Sequence, residues 1–284
     1  MIYKNQEFER ERALYGSHGI RLDSCAFRGA ADGESALKES SDIEAENTVF
    51  ALRYPLWHTE RVRLLSSTMT DTCRAPLWYA EDVLLLRSTV AGTKAIRECR
   101  GVTLEECTVS SDELCWLSSR IAVRASRISG AYAFFQSRDV RMTDTEFSGK
   151  YSFQYVEDAV IERSVLHTKD AFWHAKSVTV YDSVLDGEYL GWYSENLRLV
   201  RCHIKGSQPL CYARGLILED CTMEGADRAF ERSEVVATLR GGVESIKAPA
   251  HAEITLSAMP ELLPEDDGSV GAVHITVKEG ADSI

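Results

Sequence analysis

A short pattern recurs every 19 residues along most of this 284-residue chain. Each copy has apolar residues at positions i and i+2, a Ser, Thr or Cys at i+5, an apolar residue at i+7 and often Gly at i+9. The copies begin at Ile20, Ile43, Val62, Val83, Val102, Ile121, Val140, Ala159, Val178, Leu197 and Leu216, and Val235 begins a weaker twelfth copy. A register kept over so many copies indicates a repeat protein in which each copy packs on its neighbours.

The length of the repeat restricts the fold. Repeats of helix pairs and propeller blades need about 33–50 residues, whereas each copy here holds two alternations of period 2, which are typical of β-strands. The pattern predicts an all-β, right-handed parallel β-helix (β-solenoid) of about 11–12 coils, since parallel connections prefer that hand. We expect an N-terminal cap over residues 1–19, the β-helix over 20–237 and a C-terminal β cap over 238–284.

Composition excludes several classes of function. The net charge of -12 argues against a nucleic-acid partner, which would require a basic surface. The sequence has no apolar run long enough to span a membrane and no apolar stretch near residue 1 that would act as a secretory signal. Its eight Cys form no CxxC pair, so we expect reduced thiols, a cytoplasmic location, no metal site and no cofactor.

Aligned copies give columns of equivalent residues, and two columns predict what lies inside. The column at i+5 contains only Ser, Thr and Cys, which predicts a ladder of small groups at an internal corner. A second column holds all five Trp: Trp57, Trp78, Trp116, Trp173 and Trp192. It is separated by one position from a column of mostly small residues, and strict alternation sends both inward. The reverse register, with the Trp side chains outside as a sugar-binding surface, remains the alternative.

If the Trp column is inside, the residues between become an exposed face rich in Tyr. A contiguous aromatic patch on a surface usually marks an interaction site, and Tyr with amides and carboxyls suits sugar rings and their hydroxyls. The candidate ligand-binding residues are Tyr151, Tyr155, Tyr189, Tyr193, Gln208, Tyr212 and Glu231. The candidate catalytic residues are Asp170, His174 and Glu188, because glycoside cleavage uses paired carboxyls and His titrates near neutral pH.

The run from Asp170 to Ala213, DAFWHAKSVTVYDSVLDGEYLGWYSENLRLVRCHIKGSQPLCYA, resembles a bacterial domain-of-unknown-function family of single-stranded β-helix proteins. That family is similar to the pectate-lyase-like right-handed β-helix superfamily, and the resemblance extends from Phe8 to about Lys247. It implies a fold and no catalytic residues. Members of the wider superfamily often act on acidic polysaccharides.

The sequence therefore predicts a carbohydrate-recognising β-helix protein with a saccharide ligand. Whether it is also a glycoside hydrolase or a polysaccharide lyase stays open, since the carboxyls on the face do not cluster. The alternative is a non-catalytic scaffold that associates with itself and buries the aromatic face in a homo-oligomer.

Overall fold

A computed structural model describes residues 1–29 and 34–278, which fall in two compact units, Met1–Ser148 and Gly149–Ile284. The described residues contain β-strands and turns but no α-helix, so no helix among them could cross a membrane. Together the units hold about 14 turns of roughly 19 residues. The predicted all-β solenoid is confirmed, and the expected number of 11–12 coils was too low.

The strands of the first unit are β1 (Ile2–Lys4), β2 (Glu7–Phe8), β3 (His18–Asp23), β4 (Ala26–Phe27), β5 (Ser41–Glu46), β6 (Val49–Phe50), β7 (Glu60–Leu65), β8 (Thr68–Met69), β9 (Leu77–Trp78), β10 (Glu81–Leu86), β11 (Thr89–Ala91), β12 (Ile96–Arg97), β13 (Arg100–Glu105), β14 (Thr108–Ser110), β15 (Ser119–Arg124), β16 (Arg127–Ala131), β17 (Arg138–Thr143) and β18 (Glu146–Lys150). The longer strands stack in parallel, each on the equivalent strand of the next coil. Ile43 lies opposite Ile20 on one side and Val62 on the other, so the first residues of successive copies are in register.

The strands of the second unit are β19 (Glu157–Glu162), β20 (Val165–Lys169), β21 (Lys176–Tyr181), β22 (Val184–Asp186), β23 (Arg198–Val200), β24 (His203–Lys205), β25 (Leu216–Glu224), β26 (Glu234–Leu239), β27 (Ser245–Lys247), β28 (His251–Leu256), β29 (Glu261–Leu263) and β30 (Ala272–Val277). They also pair in parallel. Leu216 lies opposite Val235, and Val235 opposite Ala252, so the weak twelfth copy is a full coil.

The terminal segments expected as caps contribute strands to the same sheets. Strand β1 pairs in parallel with β3, and β28 pairs in parallel with β26 and β30. These segments are therefore end coils, which accounts for the larger number of turns. Residues 279–284 of the expected C-terminal cap lie outside the described residues.

The column of small residues at i+5 is buried in the eleven copies from Ile20 to Leu216, as predicted. Its hydroxyls accept hydrogen bonds from the backbone of the preceding coil: Thr48 N donates to Ser67 Oγ at 3.1 Å, and Ser164 N donates to Ser183 Oγ at 3.0 Å. A small polar residue is needed here because the backbone turns a corner and leaves an N–H group that must be paired. All eight cysteines are free and buried.

The third side of each coil, which carries the Trp column, differs from the prediction, because between Tyr151 and Tyr212 it consists of turns rather than a strand. Alternate residues have positive φ: Asp170, Phe172 and His174 are at +57°, +61° and +54°. The backbone still bonds to the coils on both sides, since Phe172 N donates to Ser152 O at 3.1 Å and His174 N to Trp192 O at 2.9 Å.

Because of these turns, side chains on this side of the coil do not alternate strictly between inward and outward, which was the basis for assigning the columns. The middle residues, expected outside, are fully buried at Phe153, Phe172 and Leu210, and the Trp side chains are half-buried rather than in the core. Strict alternation holds only for an extended chain, and a left-handed residue at every second position reorients the side chains. The small column two residues after the Trp column is buried as predicted, for example at Ala175 and Ser194.

Candidate functional site

Four aromatic side chains in the second unit form one continuous stack, which we call the ring row: Tyr155, His174, Tyr193 and Tyr212. Neighbouring ring centroids are 4.9, 5.0 and 4.8 Å apart along the row, and the ring planes differ by 9°, 9° and 12°. The members are 19 residues apart, one per coil, so the row follows the stacking of the coils.

The ring row presents ring edges to solvent. Each inner ring has one neighbour on each face, and Tyr155 and Tyr193 nevertheless remain 43% and 42% exposed. A sugar that stacks on an aromatic side chain needs an open ring face. The row is therefore unsuited to the stacking mode that the sequence suggested, and what it offers instead is a line of phenol hydroxyls and imidazole nitrogens.

Polar atoms in the middle of the row are unpaired. Within residues 1–29 and 34–278, no group is hydrogen-bonded to Tyr193 Oη or to a ring nitrogen of His174. Tyr212 differs, because burial and then the nearby charge of Glu231 raise its pKa to about 12. The phenol of Tyr212 thus stays protonated, while Tyr193 and His174 can bond to a ligand.

A shallow cavity of about 240 Å³ lies beside the row, lined by His174, Tyr193 and Tyr212 together with Ser194, Glu195 and Arg214. Glu195 forms an ion pair with Lys176 at 3.6 Å, whereas Arg214 has no ion pair within the part of the chain that the structure describes. The last three lining residues were not among the predicted site residues. Ser194 belongs to the column of mostly small residues, and Glu195 and Arg214 each stand one position after that column in their coils.

The two Trp residues beside the row form a second stack. Trp173 and Trp192 have centroids 5.4 Å apart and planes 3° apart. Their Nε1 groups donate to the backbone oxygens of Tyr189 at 2.9 Å and Gln208 at 2.7 Å. These indole N–H groups are already paired and are therefore not available to a ligand. The Trp stack supports the ring row, and the polar atoms that could bond to a ligand are those of the ring row.

The remaining predicted residues lie away from the ring row. Tyr189 contacts Trp192 edge to face at 5.4 Å and has Lys169 Nζ 4.9 Å above its ring, and Lys169 also pairs with Glu188 at 2.9 Å. Tyr151 lies at the equivalent position two coils earlier, with Lys150 Nζ 5.5 Å from its ring. The structure thus brings together four of the ten predicted site residues.

Glu231 continues the column of the ring row but is not part of an open surface. It is 8% exposed, and its carboxylate pairs with Lys247 at 2.9 Å. This ion pair closes the row after Tyr212.

The first unit carries a fragment of a similar face. His58 and Tyr79 lie on neighbouring coils with centroids 4.9 Å apart, but their planes are at 70°. They therefore meet edge to face and do not continue as a stack. The extended row is a feature of the second unit.

A family model described as a protein of unknown function (DUF3737) matches residues 1–276. The chain belongs to the DUF3737 family. The match is wider than the region from Phe8 to Lys247 over which the sequence resembled such a family. A search of curated proteins finds no match to this DUF3737 chain.

Solved structures resemble this DUF3737 protein only distantly. The surface adhesin PfbA of Streptococcus pneumoniae matches at 8% identity and a TM-score of 0.42, covering 80% of this chain and 73% of the adhesin chain. The Dettilon tailspike protein matches at 11% identity and 0.37, covering 96% and 61%. The GH136 lacto-N-biosidase from Eubacterium ramulus matches at 8% identity and 0.32, covering 96% and 61%.

Of the candidate catalytic residues in this DUF3737 chain, Asp170 lies beneath the surface, with 6% exposed. Burial raises the pKa of its carboxyl, the charge of Lys169 partly opposes this, and the charge of Glu188 adds to it. His174 is held between two tyrosine rings, and Glu188 is exposed and paired with Lys169. Among the described residues, no group of three His, Cys, Asp or Glu side chains could hold a metal ion.

We expect Asp170→Asn to raise the melting temperature at pH 7. The raised pKa means that ionised Asp170 opposes folding above that pKa, and this cost disappears below about pH 3.8, where the carboxyl is protonated in both states. Thermal melts of variant and wild type from pH 3.5 to 8 test this, with Glu261→Gln, at an exposed carboxylate, as a control of small effect. A variant that melts below wild type at pH 7 would mean that the carboxylate stabilises the fold.

Proposed function

We propose that this protein binds a saccharide through the edges of the ring row, without cleaving it. The observation that carries the proposal is that Tyr193 and His174, at the centre of the stack, have polar ring edges without a hydrogen-bond partner among the described residues and have both ring faces covered by neighbouring rings. A ligand for such a surface must offer hydrogen-bonding groups at regular intervals and little apolar surface. Saccharide hydroxyls act as both donors and acceptors, as do phenol and imidazole groups.

The cavity beside the row supports the same proposal. Glu195 and Arg214 add a carboxylate and a guanidinium within one ligand-sized depression of about 240 Å³. Carboxylates accept and guanidinium groups donate, so both roles of a sugar hydroxyl can be met. The buried carboxyl of Asp170 and the ion pair of Glu188 with Lys169 support binding without catalysis.

A conservative substitution tests the proposal. Tyr193→Phe keeps the ring in the stack and removes only the hydroxyl. We expect it to weaken binding of the best glycan from an array about twofold to tenfold, the worth of one hydrogen bond, with an unchanged melting temperature. Isothermal titration calorimetry and thermal melts measure the two effects.

Tyr79→Phe is the matched control, since Tyr79 is a comparably exposed tyrosine, at 40%, outside the ring row. It should bind as wild type does. The absence of any glycan bound on the array, or equal binding by Tyr193→Phe and wild type, would contradict the proposal. Light scattering adds a check: if wild type is an oligomer and Tyr193→Ala a monomer, the row is a contact between copies.

A further inference from the structure

The ring row sets a spacing for its ligand. Its centroids repeat at 4.9, 5.0 and 4.8 Å, because neighbouring strands in a β-sheet lie about 4.7–4.9 Å apart. The interval is fixed by backbone hydrogen bonds between coils, such as His174 N to Trp192 O at 2.9 Å and Tyr193 N to Cys211 O at 3.1 Å. The polar ring edges are therefore held at a fixed spacing and do not form an adaptable surface.

Few polymers match this interval. An extended peptide presents side chains on one face only about every 6.8 Å, two residues at 3.4 Å each, so it would lose register with the row after one or two coils. A chain of pyranoses joined through two equatorial bonds per linkage is extended and advances by close to the ring-row interval with each sugar. A chain with one axial and one equatorial bond per linkage, such as an α-1,4 glucan, curls and cannot follow a straight row, and a diaxially linked chain is extended but advances by less with each sugar.

We infer, on the basis of the proposed function, that the ligand is a linear, equatorially linked glycan. It lies along the stack of coils with one pyranose per coil. Each sugar would place its hydroxyls against one ring edge. The chain would pass Tyr193 and His174 at its centre and the cavity with Glu195 and Arg214 at its side.

The length of the bound segment also follows from the row. In the second unit the row has four rings, from Tyr155 to Tyr212. At the next position Glu231 is buried and paired with Lys247 at 2.9 Å. No further ring edge is offered there, so the site accommodates about four sugars.

Calorimetry with oligosaccharides of one to six sugars tests the inference. The probes are β-1,4-linked cello-, xylo-, manno- and chito-oligosaccharides, with α-1,4-linked malto-oligosaccharides as the comparison. For at least one β-1,4 series we expect Kd to fall about twofold to tenfold per added sugar, then to level off at four. Tyr193→Phe should weaken binding of the tetrasaccharide, and Tyr79→Phe should not.

The outcomes separate the inference from the proposed function. Glycan binding that is lost in Tyr193→Phe, but is independent of chain length or equal for the malto series, would overturn the inference and leave saccharide binding standing. Binding to array glycans with none to any β-1,4 series would likewise overturn the inference. No binding to any glycan at all would overturn the proposed function.

Discussion

Replacing Phe172 with alanine is expected to lower the free energy of unfolding by about 3–5 kcal/mol, as for other large aromatic side chains removed from a core. Phe172 is fully buried and stacks on Phe153 at 5.1 Å, with planes at 27°. Removing it leaves a cavity between two coils that their hydrogen bonds hold at a fixed distance, so little of the space can close. Urea denaturation followed by circular dichroism measures the loss.

Tyr155→Ala is the control for this substitution. Tyr155 lies on the same side of a neighbouring coil and is 43% exposed, so its removal should cost clearly less than that of Phe172. A nearly neutral Phe172→Ala would mean that Phe172 faces solvent and that the alternation assumed from the sequence was right after all.

Gly187→Ala is expected to destabilise the protein on the order of 3 kcal/mol, because it combines backbone strain with overpacking. Gly187 has φ +155°, in a region open almost only to glycine, and an added Cβ would run into the backbone carbonyl of Thr168 in the preceding coil. Neither backbone can move without breaking hydrogen bonds between coils, for example Gly187 N to Lys205 O at 3.0 Å.

Gly225→Ala provides the matched comparison. Gly225 has φ +62°, and an added Cβ there meets nothing within 4 Å, so only the cost of a left-handed alanine remains, about 1–2 kcal/mol. Urea titration of both variants measures the difference. Equal losses would show that the close approach of neighbouring coils at Gly187 is not what requires glycine there.

The repeat made much of the fold predictable. An interval of 19 residues determines which residues lie opposite each other, so the pairing of Ala159 with Val178 and of Leu216 with Val235 followed from the sequence. The internal ladder at i+5 was also predictable, since only a narrow corner explains a column restricted to Ser, Thr and Cys. The end coils were missed because their residues do not keep the pattern.

The third side of the coil could not be predicted in the same way. Its conformation depends on positive φ at residues such as Tyr151, Phe153 and Asp170. Sequence reasoning expects that conformation at Gly, and only rarely at bulky residues. The composition of the ring row was nevertheless evident from the interval, because Tyr155, His174, Tyr193 and Tyr212 share a column. The orientation of the rings was not, since it results from the spacing of coils that forces equivalent rings face to face.

The most direct test of saccharide binding at the ring row is a crystal structure of the protein with a saturating β-1,4-linked tetrasaccharide, chosen as the tightest binder in the length series. We expect the sugar chain to lie along the row with one pyranose per coil, and its hydroxyls to be within hydrogen-bonding distance of Tyr193 Oη and a ring nitrogen of His174. A tetrasaccharide bound on another surface, or a ring row left empty at a concentration that saturates binding in solution, would contradict the account.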